Sequence, residues 1–114
     1  AHSIDETIIN HGVYAATQGP RLETAAEINR LERDGATIVG MTGMPEAALA
    51  RELGISYAAI CPVANQAAGR GKSLHGIQYE DVIENLNQTM VRVRNIIGAL
   101  VKLNGLCKIN TQKK

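Results

Sequence analysis

The chain has 114 residues, of which 45% are hydrophobic and 20% charged, with a net charge of +1 at pH 7. This composition is typical of a globular domain, and the balanced charge and 3% aromatic content argue against a nucleic-acid binder, which needs a basic face or stacking side chains. Two cysteines are too few for a disulfide scaffold, and no secretory signal or apolar stretch of about 18 residues is visible, so we expect a cytoplasmic protein without a membrane segment.

The first predicted elements are a strand and a helix. Gly12–Thr17 is a short run of small and apolar residues that favours a strand. Thr24 and Glu27 have the spacing of a capping box, and Ile28 begins the apolar stripe of the helix that follows. Gly35 suits the left-handed residue that ends a helix.

The next elements repeat this order. Ala36–Met41 is β-rich and apolar, and Pro45 precedes a short helix over Ala47–Leu53. Ile55–Val63 is again almost continuously apolar, which predicts a third strand and a buried, reduced Cys61 within it. Right-handed crossovers would make the three strands parallel in one α/β sheet.

The last predicted element is a long helix over about Tyr79–Leu103, after a loop over residues 64–78. A polar tail over residues 108–114 ends the chain, so we assign residues 1–107 to one folded unit. Apolar residues recur along the helix at steps of three and four, which predicts one buried face. They are Val82, Leu86, Met90, Val93, Ile97 and Leu100.

Ligands of parallel sheets bind at the carboxyl ends of the strands. The loops after the three predicted strands contain Glu23, Thr42 and Asn65, respectively. A carboxylate could accept the N1–H of a 6-oxopurine, and an amide could bridge its N7 and O6, whereas adenine has no N1 proton to donate. Each residue also fits an ordinary structural role, as a first-turn charge or a turn former.

Other chemistries are less well supported. Gly69–Ser73 reads GRGKS and is similar to the end of a phosphate-binding loop, but Gln66 stands where that motif begins with glycine, so we expect a solvated loop. His2, His11 and His75 lack metal-ligand spacing, and no nucleophile elbow of the form G-x-S-x-G occurs.

Two motifs, GPRLETAAE at residues 19–27 and GMTGMPE at residues 40–46, combine with the loop around Asn65. Together they resemble the purine nucleoside phosphorylase and methylthioadenosine phosphorylase family, in its trimeric branch, over residues 12–101. The resemblance implies the C-terminal part of a three-layer α/β domain. Its mixed or parallel sheet would be flanked by helices, it would end in a long helix, and it would assemble as a homotrimer.

The resemblance also implies roles for single residues. Glu23 matches the carboxylate that binds purine N1, Asn65 matches the catalytic side chain that holds N7, and Thr42 matches a hydroxyl that binds phosphate. The remaining substrate-binding positions it implies are Tyr14, Leu22, Met41, Gln66, Ala67, Tyr79, Val82 and Ile83.

The implied activity is phosphorolysis of a 6-oxopurine nucleoside, such as 5′-methylthioinosine, inosine or guanosine, with inorganic phosphate as co-substrate and no metal or other cofactor. Tyr79 leaves the 5′ substituent open between hydroxyl and methylthio, because tyrosine joins an apolar ring to a polar tip. Family members are longer, and their N-terminal half supplies most of the phosphate site, so we expect this chain alone to be inactive. The alternative is an inactive remnant or interaction module that at most binds purine.

Overall fold

The computed structural model describes residues 6–103, which form an α/β arrangement with a small parallel sheet and a long final helix, as predicted. The polar tail and His2 lie outside the described residues. The elements, in chain order, are β1 (Tyr14–Ala16), α1 (Ala25–Arg33), β2 (Ile38–Gly40), α2 (Glu46–Glu52), a 3₁₀ turn (Gly71–Ser73) and α3 (Tyr79–Leu103).

The sheet is formed by β1 and β2, which pair in parallel with Ala15 opposite Val39. The pairing continues one residue past β1, where the Thr17 N–H donates to the Gly40 carbonyl oxygen at 2.9 Å. Since α1 connects two adjacent parallel strands, these elements form the predicted β-α-β unit.

The local signals around α1 act as predicted. The Thr24 hydroxyl accepts from the Glu27 N–H at 3.2 Å, and the Glu27 carboxylate accepts from the Thr24 N–H at 2.8 Å, which completes the capping box. Ile28 is buried on the face of α1, and Gly35 follows the helix with φ +92°.

The third predicted strand, Ile55–Val63, is wrong for the described chain, because this segment forms neither strand nor helix. Its large apolar side chains are exposed, including Ile55 at 60% and Val63 at 63%. A strand requires a hydrogen-bonded neighbour, and β2 pairs with β1 only among residues 6–103. Cys61 is a free thiol, but it is exposed rather than buried.

The predicted buried face of α3 is also mostly wrong. Val93 is buried and Val82 is half-buried. Leu86, Met90, Ile97 and Leu100 remain 38–46% exposed. Few described elements pack on α3, although the Arg92 guanidinium donates to the Glu6 carboxylate at 2.8 Å.

The buried apolar core of the described residues is small and consists of Ile28, Ala50 and Val93. Each of these comes from a different helix, so each helix contributes a single buried apolar side chain and the described residues have no continuous core. None of the described helices is long and apolar enough to cross a membrane.

Candidate functional site

Tyr14 and the loop after β2 are in direct contact. The Tyr14 hydroxyl accepts from the Thr42 backbone N–H at 3.3 Å. A Cβ on Gly40 would collide with the Tyr14 hydroxyl, and one on Gly43 would lie 2.9 Å from its ring. Glycine at both positions therefore lets the tyrosine ring approach closely the loop that contains the exposed Thr42.

Glu23 lies at the carboxyl end of β1, where the sequence predicts it. It is half-buried, and its Oε1 accepts from the Thr17 hydroxyl at 2.5 Å. Its Oε2 has no hydrogen-bond donor among the side-chain contacts of residues 6–103. Because an ionised carboxylate only accepts hydrogen bonds, this oxygen is available to a donor on a ligand.

A cavity of about 270 Å³ opens in front of Glu23. Thr17, Arg21, Glu27 and Arg30 contribute polar groups to its lining. Ala16, Gln18, Glu23 and Leu31 complete it. The cavity thus combines two carboxylates and two guanidinium groups, from the loop before α1 and from α1 itself.

Glu27, the second carboxylate of this cavity, is fully engaged by the protein. Both of its oxygens accept from the Arg21 guanidinium, at 2.6 and 2.9 Å, and it also caps α1 through Thr24. The hydrogen bonds from Arg21, followed by that from the Thr24 backbone, lower the pKa of Glu27 to about 2, and the same pair raises the pKa of Arg21. Of the two glutamates of the lining, Glu23 is therefore the one with an oxygen that accepts no hydrogen bond within the described residues.

Two further predicted residues flank this region. The half-buried Met41 lies beside Gly19, where an added Cβ would be 2.9 Å from the Met41 sulfur. Leu22 is 54% exposed, next to Glu23 in the chain. Neither residue lines the cavity, although Leu22 adjoins the lining residue Glu23 in the chain, and Met41 lies near Gly19, which adjoins the lining residue Gln18.

Asn65 begins a loop that is ordered by its own side chains. The Asn65 Nδ2 donates to the Gln66 carbonyl oxygen at 2.8 Å. The same carbonyl accepts from the buried Ser73 hydroxyl at 2.7 Å, and the Gln66 Oε1 accepts from the Lys72 N–H at 2.8 Å. The expectation of a fully solvated loop at Gly69–Ser73 is therefore wrong, since Ser73 is buried and ties the loop together.

This loop is attached to two helices. The Arg70 guanidinium donates to Asn29 at 2.8 Å and to Glu32 at 2.5 Å, both on α1. On the other side, the Asn85 side chain of α3 donates to the Ala64 carbonyl oxygen at 3.0 Å. The half-buried Ala67 lies between these two attachments in the chain.

The first turns of α3 contain three more predicted residues, which are loosely packed. Tyr79 is 70% exposed, Ile83 is 49% exposed, and Val82 is half-buried. No hydrogen bond among residues 6–103 joins these residues, or Asn65, to Glu23. The structure thus joins Tyr14 to Thr42, and Glu23 to the end of β1, while the Asn65 loop forms a separate cluster on α1.

Sequence reasoning missed Thr17 and Arg70. Thr17 is the last residue of the predicted first strand, so its position signalled a strand end, but nothing local revealed that its hydroxyl meets Glu23. Arg70 contacts residues 38 and 41 positions away in the chain, and such a partnership has no local sequence signal.

The β-α-β unit defines an α/β protein, and its polar groups lie at the carboxyl end of the strands, where parallel sheets commonly bind ligands. Residues 2–102 match the Phosphorylase superfamily, and the chain belongs to this superfamily.

Individual relatives have more specific names. The chain is 51% identical over 96 residues to a Xanthomonas campestris pv. campestris protein named "Probable S-methyl-5'-thioinosine phosphorylase". This alignment covers 84% of this chain and 38% of that protein. It is 56% identical over 92 residues to a Pseudomonas syringae pv. tomato protein of the same name, covering 81% of this chain and 37% of the relative.

A third relative has a broader name. The chain is 43% identical over 86 residues to a Moorella thermoacetica protein named "Probable 6-oxopurine nucleoside phosphorylase", covering 75% of this chain and 32% of the relative. The chain therefore spans less than two fifths of the length of these curated relatives.

Proposed function

We propose that this chain supplies the purine-binding part of a phosphorylase that cleaves 6-oxopurine nucleosides, with 5′-methylthioinosine, inosine and guanosine as candidate substrates. The products would be the free purine and a pentose 1-phosphate. The names of the relatives support the substrate class, since methylthioinosine is itself a 6-oxopurine nucleoside.

The observation that carries the proposal is the state of the two carboxylates in the cavity. Glu27 accepts hydrogen bonds at both oxygens, whereas Glu23 has one oxygen bound by Thr17 and the other open. A 6-oxopurine donates from N1, so it satisfies this open acceptor. Adenine has a lone pair at N1, which would face the carboxylate oxygen without a proton between them.

The reaction proposed here is a substitution at the anomeric carbon. A phosphate oxygen forms a bond to C1′ while the C1′–N9 bond breaks, and its electron pair leaves with the purine, which takes up a proton. Negative charge therefore grows on the purine ring in the transition state. A hydrogen bond that strengthens with this charge stabilises the transition state more than the substrate, which raises kcat.

Asn65 would bind the purine at N7, and Thr42 would bind the phosphate. The Asn65 amide has two N–H groups, of which one is used on Gln66, so the other is available to N7. The exposed Thr42 side chain, whose backbone is fixed by Tyr14, would bind phosphate. Tyr14, Leu22, Met41, Gln66, Ala67, Tyr79, Val82 and Ile83 would complete the nucleoside site.

The test is phosphate-dependent release of hypoxanthine from inosine and from 5′-methylthioinosine by the natural polypeptide that carries this sequence. We expect Glu23→Gln to lower kcat/KM for both by about a hundredfold, because the amide removes the carboxylate that N1–H needs. Glu52→Gln, an exposed carboxylate at the end of α2, serves as the matched control and should leave both values unchanged.

Two outcomes would contradict the proposal. Equal activity of Glu23→Gln and the parent would remove Glu23 from the base site. Purine binding without any phosphate-dependent release by the natural polypeptide would instead favour the interaction-module alternative.

The proposal extends to a cytoplasmic homotrimer on the strength of the family resemblance alone. Light scattering coupled to size exclusion of the natural polypeptide tests the assembly, and a monomer that is fully active would contradict it.

A further inference from the structure

We propose that Thr17 is a specificity-determining positioning residue, whose hydroxyl aims the Glu23 carboxylate so that it selects 6-oxopurines over 6-aminopurines. This inference rests on the proposed function, in which Glu23 accepts from the base. Thr17 lies within the stretch that resembles the family, but the resemblance assigns it no role, and its proposed role comes from a contact in the folded chain.

The position of Thr17 is set by the sheet. It directly follows β1, and its N–H donates to the Gly40 carbonyl oxygen of β2 at 2.9 Å. Its side chain is half-buried. A β-branched side chain on a paired backbone has few rotamers, so its hydroxyl is a well-placed donor.

The Thr17 hydroxyl has a single proton to donate. The Glu23 Oε1 lies 2.5 Å from Oγ1, whereas the Gly40 carbonyl oxygen lies 3.4 Å away. The proton is therefore directed to the carboxylate. Hydrogen bonds to charged acceptors are stronger than those between neutral groups.

Thr17 is the group that donates a hydrogen bond to the Glu23 carboxylate within the described part of the chain. Arg21 is committed to Glu27 through two hydrogen bonds, and Glu23 forms no salt bridge among residues 6–103. A glutamate side chain without a partner samples several rotamers. Fixing Oε1 therefore also fixes where Oε2 points, next to the cavity that both residues line.

This restraint bears on selectivity more than on overall affinity. A fixed acceptor oxygen forms a hydrogen bond with the N1–H of a 6-oxopurine and repels the N1 lone pair of a 6-aminopurine. A carboxylate that is free to rotate could turn away from the lone pair and relieve the repulsion. A variant without the Thr17 hydroxyl should thus recognise inosine less well and accept adenosine better.

The experiment compares Thr17→Val, Thr17→Ser and Glu23→Gln in the natural polypeptide that carries this sequence. The readout is the ratio of kcat/KM for inosine to that for adenosine, repeated with the 5′-methylthio forms. We expect Thr17→Val to lower the ratio about tenfold, mainly through a higher KM for the inosine type, and Thr17→Ser to keep it within about threefold. If the variant merely contained less folded enzyme, kcat/KM would fall equally for both substrates and the ratio would stay unchanged.

Thr37→Val is the matched control. The Thr37 hydroxyl accepts from the Val13 N–H at 2.8 Å at the opposite end of the same two strands, so this variant loses a comparable contact away from the cavity. We expect its ratio to equal that of the parent. If Thr17→Val does not fold, Thr17→Ala against Thr17→Ser makes the same comparison.

The outcomes separate this inference from the function on which it rests. If Glu23→Gln abolishes the preference while Thr17→Val keeps it, the role of Thr17 is overturned and the base site stands. If neither variant changes the ratio, the assignment of Glu23 fails and the inference fails with it. A change of the same size in Thr37→Val would also overturn the role of Thr17.

Discussion

In the proposed site, the Asn65 amide would bind both the protein and the purine. One of its N–H groups donates to the Gln66 carbonyl oxygen, which holds the side chain in place. We expect Asn65→Ala to lower kcat of the natural polypeptide about a hundredfold with a smaller change in KM, because the proposed contact to N7 would strengthen as charge develops on the leaving purine. Steady-state kinetics with inosine measure both values.

The control for this prediction is Asn87→Ala, which removes an exposed amide from α3. It should behave as the parent does. A full kcat in Asn65→Ala would contradict the role of the amide in the transition state.

Substituting alanine at Gly40 and at Gly98 should change the free energy of unfolding in opposite directions. A Cβ at Gly40 would collide with Tyr14, whereas a Cβ at Gly98 in α3 would meet no atom within 4 Å. We expect Gly40→Ala to lower the free energy of unfolding by about 1–3 kcal/mol, and Gly98→Ala to raise it by about 0.5–1 kcal/mol through helix propensity. Urea unfolding of the natural polypeptide compares the two, and equal effects would refute the contact with Tyr14.

At the scale of elements, local signals were sufficient for α1 but not for the sheet. The Thr24–Glu27 capping box and the left-handed Gly35 depend on neighbours within a few residues, so the sequence predicted both. The segment Ile55–Val63 has strand-like composition, yet a strand exists only when another strand pairs with it. Pro62 also lacks an N–H to donate to such a partner.

The same distinction divides the candidate site. Glu23 and Thr42 follow β1 and β2 within a few residues, so predicting the strands also predicted where they lie. The link from Arg70 to Glu32 depends on how a distant loop packs on α1, which no spacing in the sequence indicates. For the same reason the sequence could name Asn65 but not show what anchors its loop.

The ion pair at the start of α1 predicts an acid-dependent stability. The hydrogen bonds from Arg21 and Thr24 lower the pKa of Glu27 from 4.5 to about 2 in the folded chain. A lowered carboxyl pKa stabilises the fold above the unfolded pKa, and this contribution is lost as the pH falls from about 4.5 towards 2. Glu27→Gln should therefore flatten the fall of Tm across this pH range.

The measurement is thermal unfolding followed by circular dichroism from pH 6 to pH 2. Glu46→Gln, an exposed carboxylate in the first turn of α2, provides the control and should retain the acid dependence of the parent. Parallel Tm profiles for Glu27→Gln and the parent would contradict the shifted pKa.

At the scale of the molecule, the described part of the chain is extended, and much of its apolar surface is uncovered. Its radius of gyration is 17.4 Å, whereas a compact domain of this length has about 13 Å. Many of the exposed apolar side chains lie on the segment after α2 and along α3, where the sequence predicted burial. The sequence pattern thus predicts burial for apolar side chains that the described residues leave exposed.

This surface predicts how the isolated 114-residue chain behaves in solution. Large contiguous apolar surfaces bind hydrophobic dyes and promote self-association. We expect the chain to enhance the fluorescence of anilinonaphthalene sulfonate and to associate as its concentration rises.

Ile97→Lys, at a position that is 46% exposed on α3, should reduce both effects, since it places a charge within the apolar surface. Asn95→Lys adds the same charge at a polar position of that helix and should reduce them less. A monomeric chain without dye binding would show that the apolar segments are covered in solution, and equal effects of the two lysines would assign the change to net charge.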